Sequence, residues 1–136
     1  MVNHKIAPRG IRNNNPLNIR IGNVWLGEVQ CPTDPDFEQF VTMAYGIRAA
    51  FVLLRRYINH YHRTTIPAVI AAWAPASENN VTAYCQTIYK LTGYAAGTQL
   101  IYEDDAQMVS LVDAMIVHEC GEHVSLDAIK RGYKMA

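Results

Sequence analysis

The chain has 136 residues and a mass of 15.3 kDa, which suits a single domain over residues 1–136. Half of the residues are hydrophobic and 18% are charged, and this composition excludes intrinsic disorder as the general state. The 12 basic and 12 acidic side chains balance to zero net charge, which argues against nucleic acid as a partner.

The N-terminal segment is rich in turn-forming residues. It contains Pro8, Gly10 and the run Asn13-Asn14-Asn15, whose short amide side chains bond to nearby backbone groups. We expect residues 1–12 to form an arm, ordered or flexible, that ends in a turn. The segment lacks the apolar stretch of a signal peptide, and no run in the chain approaches the roughly 20 apolar residues of a membrane span. The sequence therefore predicts a cytoplasmic protein in the producing cell, with no membrane partner.

Three short β-prone runs follow the arm. Ile19–Ile21 and Val24–Val29 are separated by Gly22-Asn23, two residues that tolerate a positive φ, and this pattern is typical of a β-hairpin. Further on, Phe37–Val41 alternates its aromatic side chains onto one face, as a third strand would. The segment predicts a small N-terminal antiparallel sheet.

From residue 43 onward the apolar residues recur every three or four positions, as they do in amphipathic helices. The pattern predicts four or five helices, and Thr65, Gly93 and Gly121 are typical of helix ends. The predicted spans are Met43–Asn59, Ile66–Trp73, Asn79–Leu91, Asp104–Cys120 and Leu126–Lys134. Together with the sheet, these helices define an α+β fold that is mostly α.

The helix over 104–120 carries the most informative side chain, Glu119. The residues 4, 7, 8 and 11 positions before it are all apolar, so the carboxyl ends an apolar ridge and loses part of its hydration. The negative end of the helix dipole acts in the same direction, and both effects raise the pKa of Glu119. A carboxylic acid that stays protonated near neutral pH is what a general acid at a glycosidic oxygen requires. The alternative is that Glu119 reaches solvent where the helix ends.

The histidines and cysteines predict no metal and no cofactor. His118 and His123 bracket the residues Glu-Cys-Gly-Glu, an order that matches neither HExxH nor HxxEH. We expect these histidines to be solvated at a helix end. The three cysteines lack the CxxC spacing and suit small apolar side chains in a reducing compartment.

Four aromatic residues are candidates for stacking on sugar rings, because aromatic faces complement the C–H faces of carbohydrates. They are Trp25, Tyr45, Tyr84 and Tyr94. The same side chains would suit an ordinary hydrophobic core, and the sequence leaves both roles open.

Several motifs, taken together and in order, resemble one family. They are Gly10-Ile-Arg-Asn-Asn-Asn-Pro-Leu-Asn-Ile-Arg20, Trp25-x-Gly27, Phe37-x-x-Phe40, Gly46-Ile-Arg-Ala49, Trp73-Ala-Pro-x-x-Glu-Asn79 with Thr82 and Tyr84, and His118-Glu-x-Gly121. The pattern resembles the small virion structural proteins of phages and prophages, which are placed near lysozyme-like peptidoglycan hydrolases. The resemblance runs from residue 10 to about residue 121 and implies a lysozyme-like fold.

A second resemblance is to bacterial glucosaminidases and lytic transglycosylases. These enzymes carry a helix that ends in a catalytic Glu, followed by an Asn-Asn segment and a hairpin. Residues 14–20, the motif Trp25-x-Gly27 and residues 37–48 are similar to the later part of that pattern, but no acidic residue precedes Asn13. The helix that ends in Glu119 resembles the missing helix, moved to the C-terminal end by a circular permutation. Cys120 stands where the family has a small polar residue.

The resemblance implies a site. Glu119 would protonate the leaving oxygen between two amino sugars, and Glu28 would be the second carboxylate. If no second carboxylate takes part, the acetamido group of the substrate would assist, and a transglycosylase becomes the more natural outcome. The residues expected to bind the substrate are Asn15, Asn18, Arg20, Trp25, Tyr45, Glu78 and Tyr84. For Glu78, capping of the following helix is the alternative role.

The predicted function is cleavage of peptidoglycan glycan strands by a phage or prophage hydrolase of the muramidase or glucosaminidase type, or by a lytic transglycosylase. Its partners would be the glycan strands of the cell wall and other virion proteins. The alternative is a virion structural or cell-wall-binding module that does not cleave. Such a protein would reach the wall in a virion, by a holin-like route or through lysis.

Overall fold

The computed structural model describes residues 6–74 and 80–136. Over these residues the chain forms six α-helices and one π-helical segment. In chain order they are α1 (Arg9–Arg12), α2 (Met43–Arg55), the π-helical segment (Arg56–His60), α3 (Ile66–Trp73), α4 (Val81–Thr92), α5 (Asp105–Cys120) and α6 (Leu126–Met135). The helix predicted over 43–59 is thus divided into α2 and the π-helical segment.

The helix ends are confirmed where the sequence carries capping residues. The Thr65 hydroxyl accepts a hydrogen bond from the N–H of Ala68 at the start of α3. The carboxylate of Asp104 accepts from the N–H of Gln107 and starts α5 in the same way. Gly121 ends α5 in the left-handed conformation, with a φ of 72°. This C-cap fixes the end of α5 and therefore the position of Glu119, which lies two residues before Gly121.

The predicted α+β fold class is wrong, because the described residues contain no β-strand and no hairpin. The runs 19–21 and 24–29 do not pair with each other. Instead, residues 19–21 and 27–29 each make two backbone hydrogen bonds to the stretch 36–41. The β-pairing of the described chain is limited to two isolated antiparallel bridges, Arg20–Phe37 and Glu28–Phe40.

Side-chain hydrogen bonds explain why this segment, residues 13–41, forms a loop rather than a sheet. Two hydrogen bonds on each side are fewer than a stable strand pair makes. The fully buried side chain of Asn15 satisfies backbone groups that a strand partner would otherwise bond. Its amide donates to the carbonyls of Ile19 and Glu38, and its oxygen accepts from the N–H of Ile19. Val24, in the predicted second strand, is 95% exposed and packs on nothing. We call residues 13–41 the N-terminal loop.

The core lies between the helices, with α2 packed on α6 and α4 packed on α5. Phe51 of α2 is fully buried and meets Tyr133 of α6 edge-on, with 5.1 Å between the ring centroids. The Tyr133 hydroxyl donates to the carbonyl of Tyr102 at 2.7 Å, so α6 is also tied to the segment before α5. No helix in the described part of the chain combines the length and the apolar character that crossing a bilayer requires.

Close backbone approaches hold the N-terminal loop against α2. A side chain at Gly46 of α2 would overlap the carbonyl oxygen of Asn14. A side chain at Gly27, which has a φ of +84°, would overlap the ring of Tyr45. The loop is therefore held against α2 near its start, at Asn14, and in its middle, at Gly27. Its Asn-Pro turn reaches the C-terminal end of α5.

Candidate functional site

Glu119 lies where the end of α5 meets three other parts of the chain. Its side chain is partly exposed. Asn18 of the N-terminal loop, Trp73 of α3 and Tyr84 of α4 each bring a hydrogen-bond donor to the carboxyl. The structure therefore brings Glu119 together with two of its predicted substrate-binding residues, Asn18 and Tyr84. It adds Trp73, which the sequence marked only as part of a family motif.

The environment of the carboxyl makes it a weak acid. Burial raises the pKa of Glu119 to about 7, and this effect outweighs the donors of Asn18, Tyr84 and Trp73, which act in the opposite direction. The predicted rise in the pKa of Glu119 is confirmed, and burial at the end of the apolar ridge is its main cause. Near neutral pH the carboxyl can therefore both hold and release a proton.

The Asn-Pro turn of the N-terminal loop is tied directly to the end of α5. The thiol of Cys120 donates to the carbonyl of Pro16 at 3.1 Å. Burial and the neighbouring Glu119 raise the pKa of Cys120 to about 11, so the thiol keeps the proton for this bond. Gly10 leaves room for this contact, because a Cβ at that position would lie 3.2 Å from the Cys120 sulfur and 2.9 Å from the Asn18 side-chain oxygen. These contacts place the Asn18 amide beside Glu119.

Tyr84 is fully buried behind Glu119, so in this structure its ring has no face open to a sugar. Its hydroxyl is buried and has no partner with full hydrogen-bond geometry. Burial and the adjacent Glu119 raise the pKa of Tyr84 well above its ordinary value. The phenol therefore keeps its proton and lies beside the Glu119 carboxyl, a hydrogen-bond acceptor.

Glu28, the predicted second carboxylate, lies against Glu38, which the sequence reasoning missed. Burial and contact with Glu28 raise the pKa of Glu38 to about 7. One oxygen of each carboxyl is buried without a hydrogen-bond partner. Contact with a second carboxyl disfavours the charged form of Glu38, which also lies in a poorly hydrated place. Glu28 is not among the groups that act on the pKa of Glu119.

This carboxyl pair gives a stability prediction for Glu38→Gln. The pKa of Glu38 is about 7 in the folded chain, against an ordinary value of 4.5. The contribution of this carboxyl to stability is fully present below about pH 4.5 and is lost as the pH rises through about 7, because the buried carboxyl must then ionise. Glutamine keeps the shape and removes the charge, so at about pH 8 the variant should be more stable by on the order of 1–3 kcal/mol. Thermal and urea unfolding at about pH 8 and about pH 4 measure the effect.

At the lower pH the Glu38→Gln variant and the wild type should be equally stable. Glu122→Gln, which removes an exposed carboxyl, is the matched control and should change stability little at either pH. A Glu38→Gln variant that is less stable than the wild type at about pH 8 would contradict the raised pKa of Glu38.

The other predicted substrate-binding residues line the N-terminal loop or pack on it. Asn15 is fully buried and bonded to backbone groups. The Arg20 guanidinium lies 4.8 Å from the centroid of the Phe37 ring. Trp25 is partly exposed, and its indole N–H is buried without a partner. Tyr45 is partly buried and packs on the core.

Two further predictions concern Glu78 and metals. Glu78 lies outside the described residues. Among residues 6–74 and 80–136, no three His, Cys, Asp or Glu side chains come together as metal ligands would. His123 instead lies 3.0 Å from an oxygen of Asp113, and His118 lies 3.0 Å from the hydroxyl of Thr87.

Comparison with known proteins places the chain among phage proteins. No family model matches it. It is 38% identical over 133 residues to Protein P5 of Pseudoalteromonas phage PM2, and the match covers 94% of this chain and 81% of that protein. The chain therefore belongs to the family of that Protein P5. The predicted relationship to phage proteins is confirmed at this level.

Proposed function

We propose that the protein is a virion-associated phage protein that acts on peptidoglycan glycan strands through the Glu119 site. The observation that carries the proposal is the carboxyl of the half-buried Glu119, whose pKa burial raises to about 7, bordered by amide, indole and phenol donors. A general acid works best when its pKa lies near the working pH. Membership in a phage protein family supports a role in a phage. The resemblance of residues 14–20 and 37–48 to glucosaminidases and lytic transglycosylases supports glycan strands as the substrate.

The reaction that fits these groups is cleavage of a glycosidic bond with Glu119 as the general acid. The protonated carboxyl donates its proton to the bridging oxygen, the bond from that oxygen to the anomeric carbon breaks, and its electron pair stays on the leaving oxygen. The acetamido group of the substrate stabilises the positive charge at the anomeric carbon. Water, or a hydroxyl of the same sugar, then adds to that carbon, and the Glu119 carboxylate takes the released proton.

The donors around Glu119 have a role in this scheme after the proton has left. The Asn18 amide and the Trp73 indole N–H then face a carboxylate rather than a neutral acid, and hydrogen bonds to a charged acceptor are stronger. Because Glu28 does not affect the pKa of Glu119, a scheme in which the acetamido group of the substrate replaces the second carboxylate is the simpler one. That scheme favours a lytic transglycosylase over a two-carboxylate hydrolase.

The second candidate is a virion module that binds glycan strands or other virion proteins at the same surface without cleaving. The family relationship favours this candidate, because it supports a role in a phage and does not by itself point to a catalysed reaction. The lack of an interaction between Glu119 and Glu28 is also compatible with binding alone.

Purified peptidoglycan sacculi separate the two candidates. The wild-type protein is incubated with sacculi at pH 6, one unit below the pKa of Glu119 of about 7, and sedimented protein and soluble muropeptides are both measured. Release of muropeptides supports the enzyme, and anhydro ends identify a transglycosylase. Co-sedimentation without release supports the binding module. If the protein neither binds the sacculi nor releases muropeptides, the glycan-strand proposal is overturned.

A further inference from the structure

We propose that Tyr84 is a positioning residue for Glu119, whose buried hydroxyl orients the carboxyl and donates to it once its proton has been given away. The catalytic consequence rests on the proposed function. The contact itself does not, because it can be measured in a protein that cleaves nothing.

The first support is the lack of any better partner for the Tyr84 hydroxyl. The hydroxyl is fully buried and has no partner with full hydrogen-bond geometry. The titratable groups that raise the pKa of the Tyr84 hydroxyl are the carboxyl of Glu119 and the thiols of Cys120 and Cys85. Of these, a carboxylate is by far the strongest acceptor. A small adjustment toward Glu119 would satisfy the orphaned donor.

The second support is the packing of the Tyr84 ring against His118, a contact that we call the brace. The ring centroids of Tyr84 and His118 lie 4.0 Å apart. The Nδ1 atom of His118 is 3.0 Å from the hydroxyl of Thr87, and that hydroxyl donates to the carbonyl of Ala83. Because the hydroxyl has one proton, it accepts from an Nδ1–H of His118, and this sets the tautomer of the ring.

The brace uses neighbouring residues of two packed helices. Tyr84 and Thr87 lie on α4, and His118 and Glu119 lie next to each other on α5. Burial lowers the pKa of His118, so the imidazole stays neutral and adds no charge beside the carboxyl. The His118 ring packs against the Tyr84 ring, and this contact restricts the reorientation of the phenol.

This arrangement makes Tyr84 a donor in every protonation state of Glu119. The pKa of the phenol lies well above its ordinary value, so the hydroxyl keeps its proton across the range in which Glu119 titrates. Toward a neutral Glu119 the contact mainly fixes orientation. Toward the carboxylate it becomes a charge-assisted hydrogen bond, which favours the state that follows proton transfer.

Tyr84→Phe removes the hydroxyl and keeps the ring against His118. The test is a carbon-detected NMR titration of the Glu119 carboxyl in the full chain. We expect its pKa to rise by about one unit, because the charged form loses a hydrogen bond. In an active protein, cleavage should slow by about 10-fold with the KM nearly unchanged, and the alkaline limb of the pH profile should move up with the pKa.

Tyr89→Phe is the matched control. It removes a hydroxyl from the same helix at a residue that does not act on Glu119, and it should leave the titration of the carboxyl unchanged. An unchanged Glu119 pKa in Tyr84→Phe would overturn the inference whether or not the protein cleaves glycan. A raised pKa in a protein without activity would retain the contact and reject the proposed function.

Discussion

Replacing Gly46 with alanine should unfold the protein or destabilise it by at least about 3–5 kcal/mol. The added methyl group would overlap the carbonyl oxygen of Asn14, and a backbone carbonyl cannot rotate out of the way as a side chain can. Asn14 itself has a φ of 52° and makes a side-chain hydrogen bond to the carbonyl of Phe40, so the whole turn would have to move. Urea unfolding followed by circular dichroism measures the change.

Gly97→Ala is the control for the Gly46 substitution. A Cβ at Gly97 would meet no other atom within 4 Å, so this variant should stay within about 0.5 kcal/mol of the wild type. If Gly46→Ala folds with the stability of Gly97→Ala, then α2 does not approach the N-terminal loop as closely as the structure has it. The placement of the N-terminal loop against α2 would then lose its main support.

Glu119→Gln should reduce glycan-strand cleavage by about 100- to 10,000-fold, the usual contribution of a general acid. Glutamine has nearly the same size and accepts hydrogen bonds from the same donors, but it has no acidic proton to give to the bridging oxygen. Binding to sacculi should therefore be unchanged while muropeptide release is lost. Release is measured by chromatography of the soluble products at pH 6, one unit below the pKa of about 7.

The control for this loss is Glu122→Gln, which removes an exposed carboxyl three residues further along the chain. It should keep full activity. Glu119→Gln should also be at least as stable as the wild type above pH 7, because a carboxyl with its pKa raised to about 7 by burial no longer has to ionise there. Undiminished cleavage by Glu119→Gln would remove Glu119 from the reaction.

The helices and the environment of Glu119 could be predicted from the sequence because their signals are local. Asp104 and Gly121 cap α5 through bonds to residues within one turn, so the ends of the helix are visible in the chain itself. The apolar ridge before Glu119 likewise depends on helical spacing alone. Its partial burial and raised pKa therefore followed without knowledge of the rest of the fold.

The N-terminal loop could not be predicted in the same way because its pairing is settled at a distance. A Gly-Asn step between two β-prone runs is a local hairpin signal, but the backbone groups find their partners in residues 36–41 and in the side chain of Asn15. The contact between Glu28 and Glu38 follows from that pairing. No spacing in the sequence indicated it.

The pH dependence of glycan-strand cleavage tests most directly whether Glu119 acts as the acid. Because the acid must be protonated to react, the rate should be highest below pH 7 and fall as the pH rises through the pKa of Glu119, about 7. Above that value the decline should approach 10-fold per pH unit. A rate that stays level or increases from pH 6 to pH 8, one unit either side of that pKa, would contradict the account.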